Sequence, residues 1–197
     1  MIELWLTAIW KNTDMAESIN SLSTMALSML DESFNLSEFD CGRKDINEFL
    51  KDDALNYKKQ KLASTFVFHL KDDKNPIAFF SILNDALNVK NIPNNEKNKF
   101  NRRLPNGKRI NHYPAIKVGR LGVIKEYRGT GLAYDMMDFI KGFSITDLKS
   151  ACRLLILDSV NETKQINYYQ KNDFHFLMES DKESLTRLMY FDLISLS

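Results

Sequence analysis

The chain has 197 residues, of which 44% are hydrophobic and 27% charged, and its formal net charge is +1. This is globular composition with enough apolar surface for a core, and the length fits one α/β or α+β domain. Near-neutrality excludes a generally basic polyanion binder, so any such role has to come from local clustering. Cys41 and Cys152 lie far apart with no C-x-x-C partner. That spacing argues against a disulfide framework or a zinc site and fits a reducing cytoplasm. No apolar run reaches the roughly 18 residues a membrane span needs. The apolar start, Met1 to Trp10, contains Glu3 and lacks a basic n-region, so it does not read as a signal peptide.

Met15, Ile19, Leu22, Met25, Ala26, Met29 and Leu30 recur at helical spacing, which predicts a helical extension over residues 1–32. Phe34 to Phe39 alternates apolar and polar residues and reads as a short strand, turned by Asp40-Cys41-Gly42. Asp45 with Glu48 three residues on resembles a capping box. Ile46, Phe49, Leu50, Ala54 and Tyr57 then give a helix running to about Lys59. Thr65–Leu70 and Ile77–Leu83 are β-rich runs separated by Asp72-Asp73-Lys74-Asn75, the pattern of a hairpin. Residues 88–113 form an Asn-rich excursion with Pro93, Pro105 and Gly107, carrying one helix over about Asn94–Arg103. Long loops inside compact domains are often functional. A strand follows at Ile116–Ile124, then a helix at Thr130–Phe143, a strand at Arg153–Leu157 and a helix at Thr163–Lys171. Strands at Phe174–Met178 and Thr186–Leu193 complete the main domain, expected over 33–197.

The chemistry is concentrated where Lys125-Glu126-Tyr127 leads into Arg128-Gly129-Thr130-Gly131 and the next helix. First-turn N–H groups lack intrahelical partners, and the helix dipole adds partial positive charge, so a phosphate suits such a turn. Gly129 and Gly131 let the backbone approach a ligand, while Arg128 either adds a donor or points outward. A Walker loop needs Gly-Lys-Ser/Thr where this turn has Gly-Leu-Ala, and a dinucleotide fingerprint needs a third glycine that is absent. On the residues alone, a phosphate site and an ordinary glycine-containing β-α turn both remain open.

The stretch from Arg120-Leu121-Gly122-Val123 to Ala133 resembles motif A of the GNAT acyltransferase superfamily, Arg/Gln-x-x-Gly-x-Gly/Ala, with Arg128, Gly131 and Ala133 in register. Asn161 and the run Tyr168-Tyr169-Gln170-Lys171-Asn172-Asp173-Phe174 resemble motif B, with Asp173 in place of the usual glycine. The resemblance covers about residues 34–193. It implies a central mixed, mostly antiparallel sheet of about six to seven strands flanked by helices, with a splayed cleft for CoA between the fourth and fifth strands. It also implies that Leu121, Gly122 and Val123 pair with the pantetheine arm of acetyl-CoA. Amides of Arg128, Gly129, Thr130, Gly131, Leu132 and Ala133 then hold the pyrophosphate. Tyr169 is implied as the acid protonating the departing thiolate, against the plainer reading of a packing aromatic, and Tyr168 is expected to point elsewhere. Asn161 either orients the thioester or caps the helix. No residue stands out as general base, Asp85 and Glu126 reading as loop charges. His69, His112 and His175 have no ligand spacing, and no metal is expected.

Lys97, Lys99, Arg102, Arg103, Lys108, Arg109, Lys117 and Arg120 occur with no acidic residue between them. Such a stretch reads either as a solvated basic loop or as a contact for RNA or another phosphate-bearing acceptor, with Arg102, Arg103, Lys108 and Arg109 as the candidate contacts. Phe39-Asp40-Cys41-Gly42, Asp45 to Leu50, Ala54, Ser64 to Val67 and Gly119 to Val123 are similar to acetyltransferase toxins of type II toxin–antitoxin modules. That narrower resemblance implies aminoacyl-tRNA as acceptor, a small antitoxin as partner, and a homodimer. The alternatives are a small-molecule or protein amine as acceptor, or a non-catalytic CoA-binding module.

Overall fold

A computed structural model describes residues 21–104, 110–146 and 151–196. A seven-stranded sheet runs in the order β1-β2-β3-β4-β5-β7-β6. Its strands are β1 (Met25–Met29), β2 (Ser64–Leu70), β3 (Ala78–Asn88), β4 (His112–Val123), β5 (Leu154–Val160), β6 (His175–Phe176) and β7 (Thr186–Asp192). Only β4 and β5 pair in parallel; every other neighbour is antiparallel. Parallel neighbours need a crossover of a dozen or more residues, and α4 (Leu132–Thr146) supplies it. The remaining helices are α1 (Lys44–Glu48), α2 (Ala54–Lys59), α3 (Asn94–Arg103) and α5 (Thr163–Lys171). Among the described residues no helix is long and apolar enough to cross a membrane.

Amphipathic periodicity explains the packing. Leu132, Met136, Met137 and Ile140 of α4 recur every three to four residues and are fully buried against Phe80, Ile116, Val118 and Leu155 of the sheet. Phe139 and Phe143 join Phe66, Phe68 and Phe80 in edge-on and stacked ring pairs. Each such pair adds about 0.5–1.5 kcal/mol beyond the area it buries. α1 and α2 form a second core with Phe39, Val67 and Phe79. Between them Phe49–Asp53 makes a π-helical turn, whose five-residue step puts Phe49 and Ala54 on the same buried face. α3 closes a third core through Phe100, which sits edge-on to both Tyr113 and Tyr190.

Several sequence expectations need correction. Residues 25–29 are strand β1 rather than part of a helical extension, because their backbone pairs with β2 from Met25↔Leu70 to Met29↔Phe66. The sheet therefore begins before residue 33, and residues 1–20 lie outside the described residues. Phe34 to Phe39 is a series of turns, held by Phe34 N–H to Asp31 O and Phe39 N–H to Leu36 O. Asp45 caps nothing: Arg43 is the N-cap of α1, and the Asp45 carboxylate is engaged by the Arg43 guanidinium at 3.1 Å. The excursion is shorter than 88–113, since Asn88 pairs with His112 at the ends of the β3–β4 hairpin. His69 is structural. It is buried, receives or donates at Ser28 Oγ (2.9 Å), and its Nδ1 faces the carbonyls of Leu70 and Asp73.

Candidate acetyl-CoA site

β4 and β5 pair over only three rungs, Ala115↔Leu154, Ile116↔Leu155 and Lys117↔Ile156. Beyond Lys117, β4 continues to Val123 along β3 alone, while β5 continues to Val160 along β7. The strands thus fork, and among the described residues no strand lies beside the β5-facing backbone edge of residues 118–123. Lys117 Nζ and Asp158 Oδ2, 2.6 Å apart, bridge the base of the fork. A β-bulge lies at the same level: Ser81 faces Arg120 and Ile82 faces Val118, leaving Gly119 unopposed. Leu121, Gly122 and Val123 form the upper arm. Gly122 has to be glycine for packing, since a Cβ there would come within 2.7 Å of the Phe79 ring and 3.0 Å of Ile46 on α1.

The turn from the end of β4 to α4 comprises a 3₁₀ turn (Lys125–Tyr127), Arg128, and the residues Gly129 to Gly131. Gly129 and Gly131 adopt φ of 79° and 90°, a left-handed conformation that costs any residue with a Cβ about 1–2 kcal/mol. A Cβ built on either meets nothing within 4 Å, so the space over the turn is open. The N–H groups of Gly129, Thr130 and Gly131 find no acceptor among the described residues. Thr130 Oγ1 donates to Tyr127 O at 2.8 Å and lies 3.4 Å from Leu132 N, and Gly131 O accepts the N–H groups of Tyr134 and Asp135, which begins α4. An open concavity of unpaired N–H groups at the positive end of a four-turn helix fits a phosphate oxygen. Arg128 does not enter it. Its guanidinium donates to the carbonyl of Cys41.

That contact is part of a brace the sequence did not reveal. Lys125 N–H donates to Asp40 O at 3.0 Å and Lys125 Nζ pairs with the Asp40 carboxylate. The carboxylate also accepts from Asn47 Nδ2 (2.9 Å) and Gly42 N–H (2.7 Å). Lys125 first, then Asn47 and Gly42, hold the Asp40 carboxyl below the usual range. Gly42 has φ 70° and a Cβ there would overlap the Arg128 guanidinium. The only sequence signal was the Asp-Cys-Gly turn itself; its docking on residues 125–128 is a tertiary fact. Gly42→Ala is expected to release Arg128 from Cys41 and lower stability by about 1–2 kcal/mol in denaturant titration. Unchanged stability would show that the brace contributes nothing.

α5 approaches from the β5 arm of the fork. Glu162 precedes it and lies 3.9 Å from Arg43, tying α5 to the start of α1. The two adjacent tyrosines are placed differently. Tyr168 donates its hydroxyl to Ala133 O at 2.5 Å and packs edge-on to Tyr134. Tyr169 packs edge-on to Tyr168 and Phe174, but its hydroxyl has no hydrogen-bond partner among the described residues. Burial pushes the Tyr169 phenol up to about 12. Asp173 takes φ 61° and closes α5 in the left-handed conformation that glycine favours.

Asn161 is not brought into this arrangement. Its Nδ2 donates to Lys182 O (2.7 Å) and Ser184 O (2.8 Å), so it pins the loop before β7; Glu162, not Asn161, is the N-cap of α5. Arg102 is exposed and donates to Asn98 O within α3. Arg103 lines a cavity of about 530 Å³ with Lys141, His175 and Tyr190 at the β6–β7 edge. Lys108 and Arg109 lie outside the described residues. Among the described residues there is no group of three or more metal-binding side chains.

No protein-family model matches the chain, and no curated protein matches it in sequence. Solved structures do match in shape. A mutant of KacT superposes with a TM-score of 0.67 at 16% identity, covering 88% of this chain and 97% of that one. AtaT complexed with acetyl-methionyl-tRNAfMet gives 0.66 at 17% identity, over 87% and 96% of the two chains. A mutant AtaT toxin bound to the C-terminus of the antitoxin AtaR and acetyl-CoA gives 0.62 at 14% identity, over 88% and 96%. At these identities the likeness is one of architecture: the forked, mostly antiparallel seven-stranded sheet of this chain is the GNAT fold, shared with these structures.

Proposed function

We propose that the protein transfers an acetyl group from acetyl-CoA to a primary amine, with the α-amine of an aminoacyl-tRNA as the leading acceptor. The observation that carries this reading is the open turn at Gly129 to Gly131, with unpaired N–H groups, at the mouth of the β4–β5 fork. The turn amides bind the pyrophosphate, and the unpaired edge of Leu121, Gly122 and Val123 receives the pantetheine amides as a missing strand would. The thioester then lies deeper in the fork, near the bulge at Gly119. Transfer forms a C–N bond and breaks the C–S bond; the amine releases a proton and the departing sulfur takes one. Tyr169 supplies the latter from a hydroxyl that no group among the described residues holds. Its raised pKa keeps it protonated at neutral pH, and a CoA thiolate formed in a sheltered fork is basic enough to accept. Arg128 serves the site by holding the turn through Cys41 rather than by touching phosphate.

The acceptor reading is supported by the neighbours that bind acetyl-methionyl-tRNA and an antitoxin, and by the basic run from Lys97 to Arg120. A cytoplasmic protein with a small antitoxin partner, acting as a homodimer, fits the same reading. The test is thiol release from acetyl-CoA against a panel of charged tRNAs, polyamines and amino-terminal peptides. Turnover with aminoacyl-tRNA alone supports the proposal; turnover only with a polyamine or peptide replaces the acceptor; tight CoA binding without turnover makes the protein a binding module. Neutralising Arg102, Arg103, Lys108 and Arg109 together is expected to weaken tRNA binding and flatten its salt dependence, by roughly one unit of log–log slope for each phosphate no longer neutralised. An unchanged slope would make the excursion a solvated surface.

A further inference from the structure

The inward stripe of α5 carries a second polar group without a partner. Gln165, Ile166, Tyr168 and Tyr169 are half-buried, and Asn172 is buried, while Thr163, Lys164, Asn167, Gln170 and Lys171 face solvent. Asn172 is satisfied, donating its Nδ2 to Tyr168 O at 2.8 Å. Gln165 is not: its Oε1 is sheltered from water and has no hydrogen-bond partner among the described residues. Leaving a sheltered amide oxygen unpaired is destabilising, and leucine or methionine would fill the same volume without that penalty. Gln165 and Tyr169 are four residues apart, so they lie one helical turn apart on the same face. Two adjacent unpaired polar groups in apolar surroundings point to a ligand that satisfies both.

We infer that Gln165 binds the pantetheine arm of CoA, its side-chain amide pairing with an amide of the arm; this rests on the acetyl-CoA reading above. The choice of partner follows from position. α5 starts at the open end of the fork, where Glu162 reaches Arg43 beside the anion-binding turn. Gln165 stands about 6 Å nearer that end than Tyr169. If Tyr169 serves the sulfur, Gln165 lies level with the arm that runs from sulfur to pyrophosphate. A primary amide can accept from an arm N–H and donate to an arm carbonyl, so it matches a secondary amide at either atom.

The test compares wild type with Gln165→Leu, and with Gln165→Met should the first fail to fold. Calorimetric titrations use CoA and adenosine 3′,5′-bisphosphate, which keeps the nucleotide end but lacks the arm. The expected result is CoA affinity reduced about tenfold, bisphosphate affinity unchanged, and a ligand-free melting temperature equal to or above wild type. CoA affinity that stays within twofold of wild type, or an equal loss for both ligands, overturns the inference. A lowered ligand-free melting temperature with CoA affinity retained does so too, because it makes Gln165 a structural residue. Wild type that binds neither ligand instead overturns the acetyl-CoA reading on which the inference stands.

Discussion

Gly131→Val is expected to abolish measurable CoA binding, a loss of at least a hundredfold, while the protein still folds. The two effects separate because of where a side chain would go. The space over Gly131 is open, since a Cβ there meets nothing within 4 Å among the described residues. Valine does force a β-branched residue to φ 90°, a strain of about 1–3 kcal/mol that a domain of this size tolerates. A ligand phosphate, by contrast, has to approach the N–H groups of Gly129, Thr130 and Gly131 to about 2.7–3.2 Å, and the isopropyl group occupies that approach. Calorimetry with CoA, beside a thermal melt, checks both halves. Normal CoA affinity in the variant would mean that the phosphate binds elsewhere.

Tyr169→Phe is expected to reduce kcat by about 10²–10⁴, the usual share of a positioned general acid, with CoA affinity held within twofold. Because the Tyr169 hydroxyl has no hydrogen-bond partner among the described residues, its removal is expected to leave stability nearly unchanged. Tyr168→Phe gives the opposite pattern. It loses the hydrogen bond to Ala133 O, so stability falls by about 1 kcal/mol and the chemical step is slowed far less. The pH profile distinguishes the roles further. Burial disfavours the charged phenolate and raises the Tyr169 pKa to about 12. The rate of wild type therefore rises as the acceptor amine loses its proton and shows no falling limb near pH 10, where an ordinary phenol titrates. A falling limb centred near 10 would contradict a buried acid.

Much of this arrangement was legible in the residues, and the parts that were not share a cause. α3 and α5 have the bounds expected from the sequence; α3 starts directly after Pro93 and buries Phe100 as its one apolar anchor. The glycine turn between β4 and α4 was legible because its glycines, flanking strand and following helix are local features. β1 was misread because Met25, Ala26 and Met29 fit a helical period equally well; only pairing with β2, about 40 residues on, decides for strand. The arms of the β3–β4 hairpin were clipped because Asn84, Asp85, Asn88 and His112 are exposed or half-buried and carry no apolar alternation. Asn161 was linked to the site by its resemblance to motif B, whereas its amide donates to carbonyls more than 20 residues later. The fork itself followed from a family resemblance and not from any local pattern, since strand register depends on partners distant in sequence.

In the proposed complex, Gly129, Thr130 and Gly131 offer their N–H groups to the pyrophosphate of acetyl-CoA. Amide NMR of the labelled protein during titration with acetyl-CoA tests this at those atoms. The predicted result is large, saturable shifts of the Gly129, Thr130 and Gly131 amides, reproduced by adenosine 3′,5′-bisphosphate at the turn, with the Val118 to Val123 amides shifting only for the full cofactor. Saturable binding that leaves the three turn amides unmoved would contradict it.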